Sequence, residues 1–177
     1  MANQPLALTC PEARPKMAGI HITQREDSVA FRVEQIDHVE LYVPDQYEAA
    51  RWYKDVLGFE VLPAYEHWAS EGGPLIISCK GGPSKLALFK GEVRSSDRTS
   101  WYRRVAFRVT GQGFIEFLRR LDSQPVYEDG GKQVSAKDSV DHGKAFSIYF
   151  CDPYGHPLEV CTYDYQHVFQ FLHAGED

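Results

Sequence analysis

The stretch that decides the fold is Ile36-Asp37-His38-Val39-Glu40-Leu41-Tyr42-Val43, followed at once by Pro44-Asp45. Apolar and polar side chains alternate along it. Val39, Leu41 and Val43 therefore fall on one face of a strand, and His38, Glu40 and Tyr42 on the other. Pro44 ends the strand and Asp45 is a residue type that caps helix N-termini. From Gln46 to Leu57 the residues Ala49, Ala50, Trp52, Tyr53, Val56 and Leu57 recur at helical spacing, and Gly58 follows where a left-handed C-terminal cap is needed. Three short strand signals come next, at 59–62, 74–79 and 86–89, broken by Gly72-Gly73 and Gly81-Gly82-Pro83. The order is βαβββ.

The same order recurs downstream. Residues 103–109 read as a strand and Gln112 to Leu121 as a helix with Phe114, Phe117, Leu118 and Leu121 inward. Residues 125–127, 146–151 and 157–162 read as strands. His38 superposes on Arg104 at an offset of 66 residues, whereas Ala87 superposes on Glu159 at an offset of 72, which places about six extra residues in the second copy. They fall in the polar segment from Asp129 to Lys144, a loop long enough to act as a lid or to be a plain surface extension. The prediction is an α+β chain of two βαβββ modules, at 34–92 and 93–165. An arm at 1–33, partly disordered or adding one strand, precedes them, and a tail at 166–177 follows.

Composition narrows the partners. A chain of 177 residues with 43% apolar and 13% aromatic residues has ample material for a packed core. Nineteen Lys and Arg against 25 Asp and Glu give a net charge of −6, which argues against phosphate-backbone or anionic-lipid partners. No segment approaches the roughly 20 apolar residues of a membrane span, and the N-terminus lacks the pattern of a secretion signal. Cys10, Cys79, Cys151 and Cys161 form no C-x-x-C pair and read as reduced thiols. The expectation is a cytoplasmic protein with a small-molecule ligand, and with neither nucleic acid nor membrane as partner.

Three segments together carry a family resemblance: the strand Ile36-Asp37-His38-Val39-Glu40-Leu41, the helix segment Ala50-Arg51-Trp52-Tyr53-Lys54-Asp55-Val56-Leu57-Gly58-Phe59, and Cys151-Asp152-Pro153-Tyr154-Gly155-His156-Pro157-Leu158-Glu159. Over about residues 34–165 the chain resembles the vicinal oxygen chelate superfamily, which includes glyoxalase I, the bleomycin- and fosfomycin-resistance proteins and the extradiol dioxygenases. The resemblance implies a curved mixed sheet forming a cup with helices outside, and commonly a homodimer. It also implies a divalent metal held by a His on the first strand of each module and a Glu on the last strand. His38 matches the first ligand and Glu159 the last, but Arg104 stands where the second His is expected.

A guanidinium has no lone pair to donate and stays protonated. At about 5 Å and an effective dielectric of about 20 it repels a dication by on the order of 6 kcal/mol. The expected cofactor is therefore none, or a weakly bound Fe, Mn, Ni or Zn ion on His38 and Glu159, with Glu40 a conceivable third ligand. Two readings follow. One is a small-molecule-binding protein whose cup holds an oxygenated or aromatic compound. The other is a metal-dependent lyase or dioxygenase with His38, Glu159 and Arg104 as catalytic groups. In both, Glu40, Tyr42, Arg108 and Tyr149 are the candidate ligand-binding residues, and Arg104 is free to anchor an anion. Pairing of Arg104 with Glu159 and of Arg108 with Glu40 would neutralise the cup's charges. His156 reads as a turn residue, and Trp68 and Trp101 as possible cavity walls.

Overall fold

The computed structural model describes residues 33–79, 82, 84–92 and 104–174. The arm before residue 33, Cys10 and Trp101 lie outside these residues.

The deciding stretch forms strand β1, His38–Val43, with His38, Glu40 and Tyr42 exposed and Leu41 and Val43 buried. Helix α1, Gln46–Leu57, starts where Asp45 Oδ1 accepts from the Glu48 amide at 2.8 Å. It stops at Gly58, whose φ of 72° is the left-handed conformation that glycine adopts without a Cβ penalty. Strands β2 (Phe59–Val61), β3 (Leu75–Cys79) and β4 (Lys85–Lys90) complete the first module, with a short helix α2, Glu66–Ser70, between β2 and β3. The sheet order is β1-β4-β3-β2, with β1 parallel to β4 and the other pairs antiparallel. Gln46 fastens α1 to this sheet, its side-chain amide donating to the carbonyls of Leu88 (2.7 Å) and Gly73 (2.9 Å).

The second module repeats the pattern with β5 (Val105–Arg108), α3 (Gly111–Arg120), β6 (Val140–Asp141), β7 (Phe146–Cys151) and β8 (Pro157–Thr162), in the sheet order β5-β8-β7-β6. The two sheets share one register: Glu40 lies opposite Ala87, and Ala106 opposite Glu159. These are the positions related by the offsets of 66 and 72. The mixed sheet is not continuous. β1 and β5 are each outermost in a separate four-stranded sheet.

Two expectations are corrected. Residues 125–127 do not form the second strand of the second module. Val126 is buried and its carbonyl accepts from the Val134 amide, while Tyr127 makes only isolated bridges to Gln133 and Cys151. The strand that pairs with β7 is instead β6, drawn from the inserted segment. Secondly, the stretch after 165 contains helix α4, Tyr165–Leu172, which buries Val168 and packs on α3. The helices approach closely because Gly111 has no side chain: a Cβ there would sit 2.8 Å from Asp164 Cβ. The Gly111 amide also donates to Asp164 Oδ2 at 2.6 Å.

The insertion is braced internally. Lys132 bridges Glu128 and Asp138 at 3.2 and 2.6 Å, Ser135 and Asp138 form a capping box, and Tyr165 donates to Asp141. Lys132 and Ser135 hold the Asp138 carboxyl down at a pKa of about 2.

The modules share one apolar core on the helix side of both sheets. Phe59 meets Phe107 edge-on at 5.3 Å, and an Arg120 guanidinium N–H donates to the Asp55 carbonyl.

Candidate functional site

Both outermost strands, β1 and β5, line one cavity of about 600 Å³, within the size range of small-molecule sites. Its apolar lining comes from the inward-alternating residues Val39, Leu41, Phe59, Leu86, Val105 and Phe107. Its polar lining is Ser84 and the charged or titratable residues Asp37, His38, Glu40, Lys85, Arg104 and His156. Strand alternation explains the division, since successive side chains of an outermost strand reach the gap from opposite faces of the sheet.

The first wall is an ordered ionic cluster. Asp37 bridges Lys85 Nζ (2.5 Å) and His38 Nδ1 (2.8 Å), and His38 Nε2 stands 3.8 Å from Glu40. Lys85 first, and then His38, hold the Asp37 carboxyl below its usual range. All four side chains are on or near the surface, so solvent screens their attraction.

On the second wall the Arg104 guanidinium lies over the Tyr149 ring, 4.3 Å from its centroid, a cation–π contact. The Tyr149 hydroxyl is 3.0 Å from His142 Nε2. Glu159 is opposite Tyr149 in the sheet and accepts a 2.7 Å hydrogen bond from Ser147. No carboxylate lies within 4.0 Å of Arg104 or Arg108 among the described residues. Arg108 instead lies over Tyr163, 5.3 Å from the ring centroid. The expected pairs Arg104–Glu159 and Arg108–Glu40 therefore do not form. Glu159 is engaged by Ser147, and each arginine rests on an aromatic face.

The structure thus brings His38, Glu40 and Arg104 to one cavity. Tyr149, on which Arg104 rests, and its cross-strand partner Glu159 do not line the cavity. Tyr42 stacks on Phe89 at 5.6 Å, away from the cavity, and Trp68 packs on Tyr65. Among the described residues, no three His, Cys, Asp or Glu side chains are grouped to hold a metal ion. The donor set agrees with that geometry: His38 and Glu159 are two ligands where a divalent centre needs three, and the third position carries the permanent charge of Arg104. These residues of a single chain do not fit a tight divalent site.

His156 is the residue that sequence reasoning missed. It reads as a turn residue, and it does lie in the turn before β8, which begins at Pro157, but that turn delivers its side chain to the cavity. Its backbone amide and Nδ1 both bond the buried Asp152 carboxylate, at 2.9 and 2.7 Å. The pairing of Asp152 and His156 in one short turn was the available signal. Elsewhere on this sheet face, burial pushes the Cys151 and Cys161 thiols up.

Comparison with known proteins supports the architecture. A profile described as Glyoxalase/Bleomycin resistance protein/Dioxygenase superfamily matches residues 35–160. No curated protein matches the sequence. Among solved structures the chain is similar to Oxidase ChaP-H2 (23% identity, 74% of this chain and 94% of that one, TM-score 0.53). It is also similar to a glyoxalase/dioxygenase from Nostoc punctiforme (19%, 79% and 98%, TM-score 0.53). A third is the fosfomycin resistance protein FosX from Listeria monocytogenes in complex with Mn(II) and sulfate (14%, 80% and 100%, TM-score 0.52). At these identities the structural likeness speaks for the fold alone, whereas the profile spans most of the chain. The chain therefore belongs to the Glyoxalase/Bleomycin resistance protein/Dioxygenase superfamily.

Proposed function

We propose that this protein binds a small oxygenated or aromatic molecule in the cavity between β1 and β5, without a resident divalent metal. The carrying observation is the cavity itself: an apolar lining of aromatic and aliphatic side chains faced by a few charged groups, with Arg104 where a metal-ligating histidine would stand. Phe59 and Phe107 offer aromatic contact, and Arg104 supplies a charge that a metal would otherwise bring. The net charge of −6 and the free thiols Cys79, Cys151 and Cys161 suit a cytoplasmic small-molecule protein. No helix among the described residues is long and apolar enough to cross a membrane.

Metal analysis of the full chain purified without chelator tests this reading. We expect far less than one equivalent of Fe, Mn, Ni or Zn. A near-stoichiometric ion would overturn it in favour of a metal-dependent lyase or dioxygenase using His38 and Glu159. We also propose a homodimer, as the resemblance implies. Sedimentation should give twice the 20.2 kDa chain mass, and a monomer mass would refute it.

A further inference from the structure

Two histidines line the cavity, each paired through Nδ1 with an aspartate, and the pairs differ in burial. Asp37 and His38 are 61% and 40% exposed at their side chains, so water screens them. Asp152 is fully buried at its side chain and His156 is 15% exposed. The Asp152 carboxylate is saturated: Oδ1 accepts from the Tyr154 and His156 amides (3.0 and 2.9 Å), and Oδ2 binds Tyr53 Oη and His156 Nδ1 (2.8 and 2.7 Å). Such a carboxylate fixes both the ring's position and its tautomer. The proton of the neutral ring sits on Nδ1, leaving the lone pair on Nε2.

His156 Nε2 has no protein hydrogen-bond partner among the described residues. It is also not an enclosed, unpartnered atom, since none occurs among them. Nε2 is therefore accessible, on a residue that lines the cavity. The charged and titratable groups sharing that cavity are Asp37, His38, Glu40, Lys85 and Arg104. Asp37 is occupied by Lys85 and His38, which leaves the Arg104 cation without a carboxylate partner among the described residues.

We propose that His156 is the proton acceptor of this cavity, taking the proton of a weakly acidic hydroxyl, a phenol or an enol, on the bound ligand. The ligand O–H bond breaks and an Nε2–H bond forms. The electron pair stays on oxygen, where the Arg104 guanidinium offsets the new charge, and Asp152 stabilises the imidazolium. A base held by a third group is the general arrangement for positioned proton transfer. The inference rests on the cavity being the ligand site.

The test uses 4-nitrophenol, whose phenolate absorbs visibly, and its non-ionisable analogue 4-nitroanisole, each titrated into the full-length chain. Bound nitrophenol should ionise about one pH unit below the free compound, equivalent to about tenfold preference for the phenolate. His156→Gln and Arg104→Gln should each remove most of that shift, which is read on the bound compound, with nitroanisole titrated alongside to report any change in the cavity's affinity. Where His156→Gln fails to fold, the ring ¹⁵N shifts of His156 in the wild-type chain provide the readout, and they should report a doubly protonated ring on nitrophenol binding alone. Equal binding of both compounds, with no ionisation shift and an unchanged ring, would overturn the inference and leave the ligand site standing. If neither compound bound, both would fall.

Discussion

The Tyr53 hydroxyl of α1 donates to Asp152 Oδ2 at 2.8 Å, joining the helix of the first module to the turn before β8 of the second. Both groups are buried. Burial first, and then the Asp152 charge, push the Tyr53 phenol well above its usual pKa, so it is a neutral donor at any ordinary pH. Tyr53→Phe keeps the ring and removes the donor. We expect a loss of about 1–3 kcal/mol in unfolding free energy by denaturant titration. No change would show that the contact between modules is energetically idle.

The thiols on the sheet face should react slowly. Desolvation raises Cys151, with Asp129 and Asp152 adding to it, and desolvation raises Cys161, with Glu159 adding to it. Because the thiolate is the nucleophile, alkylation of both by iodoacetamide should lag behind a free-cysteine peptide at pH 8 and catch up only at more alkaline pH. Peptide mapping of modified sites reads this directly, and peptide-like rates at pH 8 would contradict it.

The inserted segment has its own acid response. The folded Asp138 pKa of about 2 lies below the ordinary aspartate value of 3.8. The lowered pKa favours the folded state above about pH 4, and that contribution fades as pH falls towards 2. Asp138 and especially Lys132 are partly exposed, so the effect belongs to the loop rather than to global stability. Lys132→Met should move the Asp138 carboxyl titration upward towards the ordinary carboxylate value in a ¹³C NMR series. An unmoved titration would show that Ser135 alone holds the carboxylate.

Much of this architecture was legible because the chain says it twice. The alternation at His38–Val43 and the matched offsets of Arg104 and Glu159 located β1, β4, β5 and β8, and the register of Glu40 with Ala87 and Ala106 with Glu159 follows them. What escaped was set by packing rather than pattern. Tyr165, Val168, Phe169 and Leu172 do repeat at helical spacing, but the docking of α4 on α3 depends on the space that Gly111 leaves for Asp164 and His167. Val126 is buried as a strand residue would be, but its segment bridges rather than joins the sheet. In the site, the sequence pattern singled out His38, Glu40 and Arg104, which line the cavity, with Arg104 directly before β5. It did not foresee that Ser147 engages Glu159, or that a turn outside strand parity delivers His156.

If Arg104 is what keeps a metal out, Arg104→His should create a site. His38 and His156 would then share their cavity with a third imidazole in place of a cation. Zinc affinity by calorimetry should rise by at least about tenfold over the wild-type chain. Equal affinity would mean that the position does not govern metal binding.

The most direct measurement is chemical-shift mapping of the isotope-labelled full-length chain with 4-nitroanisole, which needs neither metal nor a reaction. The account predicts saturable shifts centred on Val39, Leu41, Phe59, Val105, Phe107 and His156, the residues that enclose the cavity between β1 and β5. Shifts centred instead on Tyr65 and Trp68, or no saturable shifts at all, would contradict it.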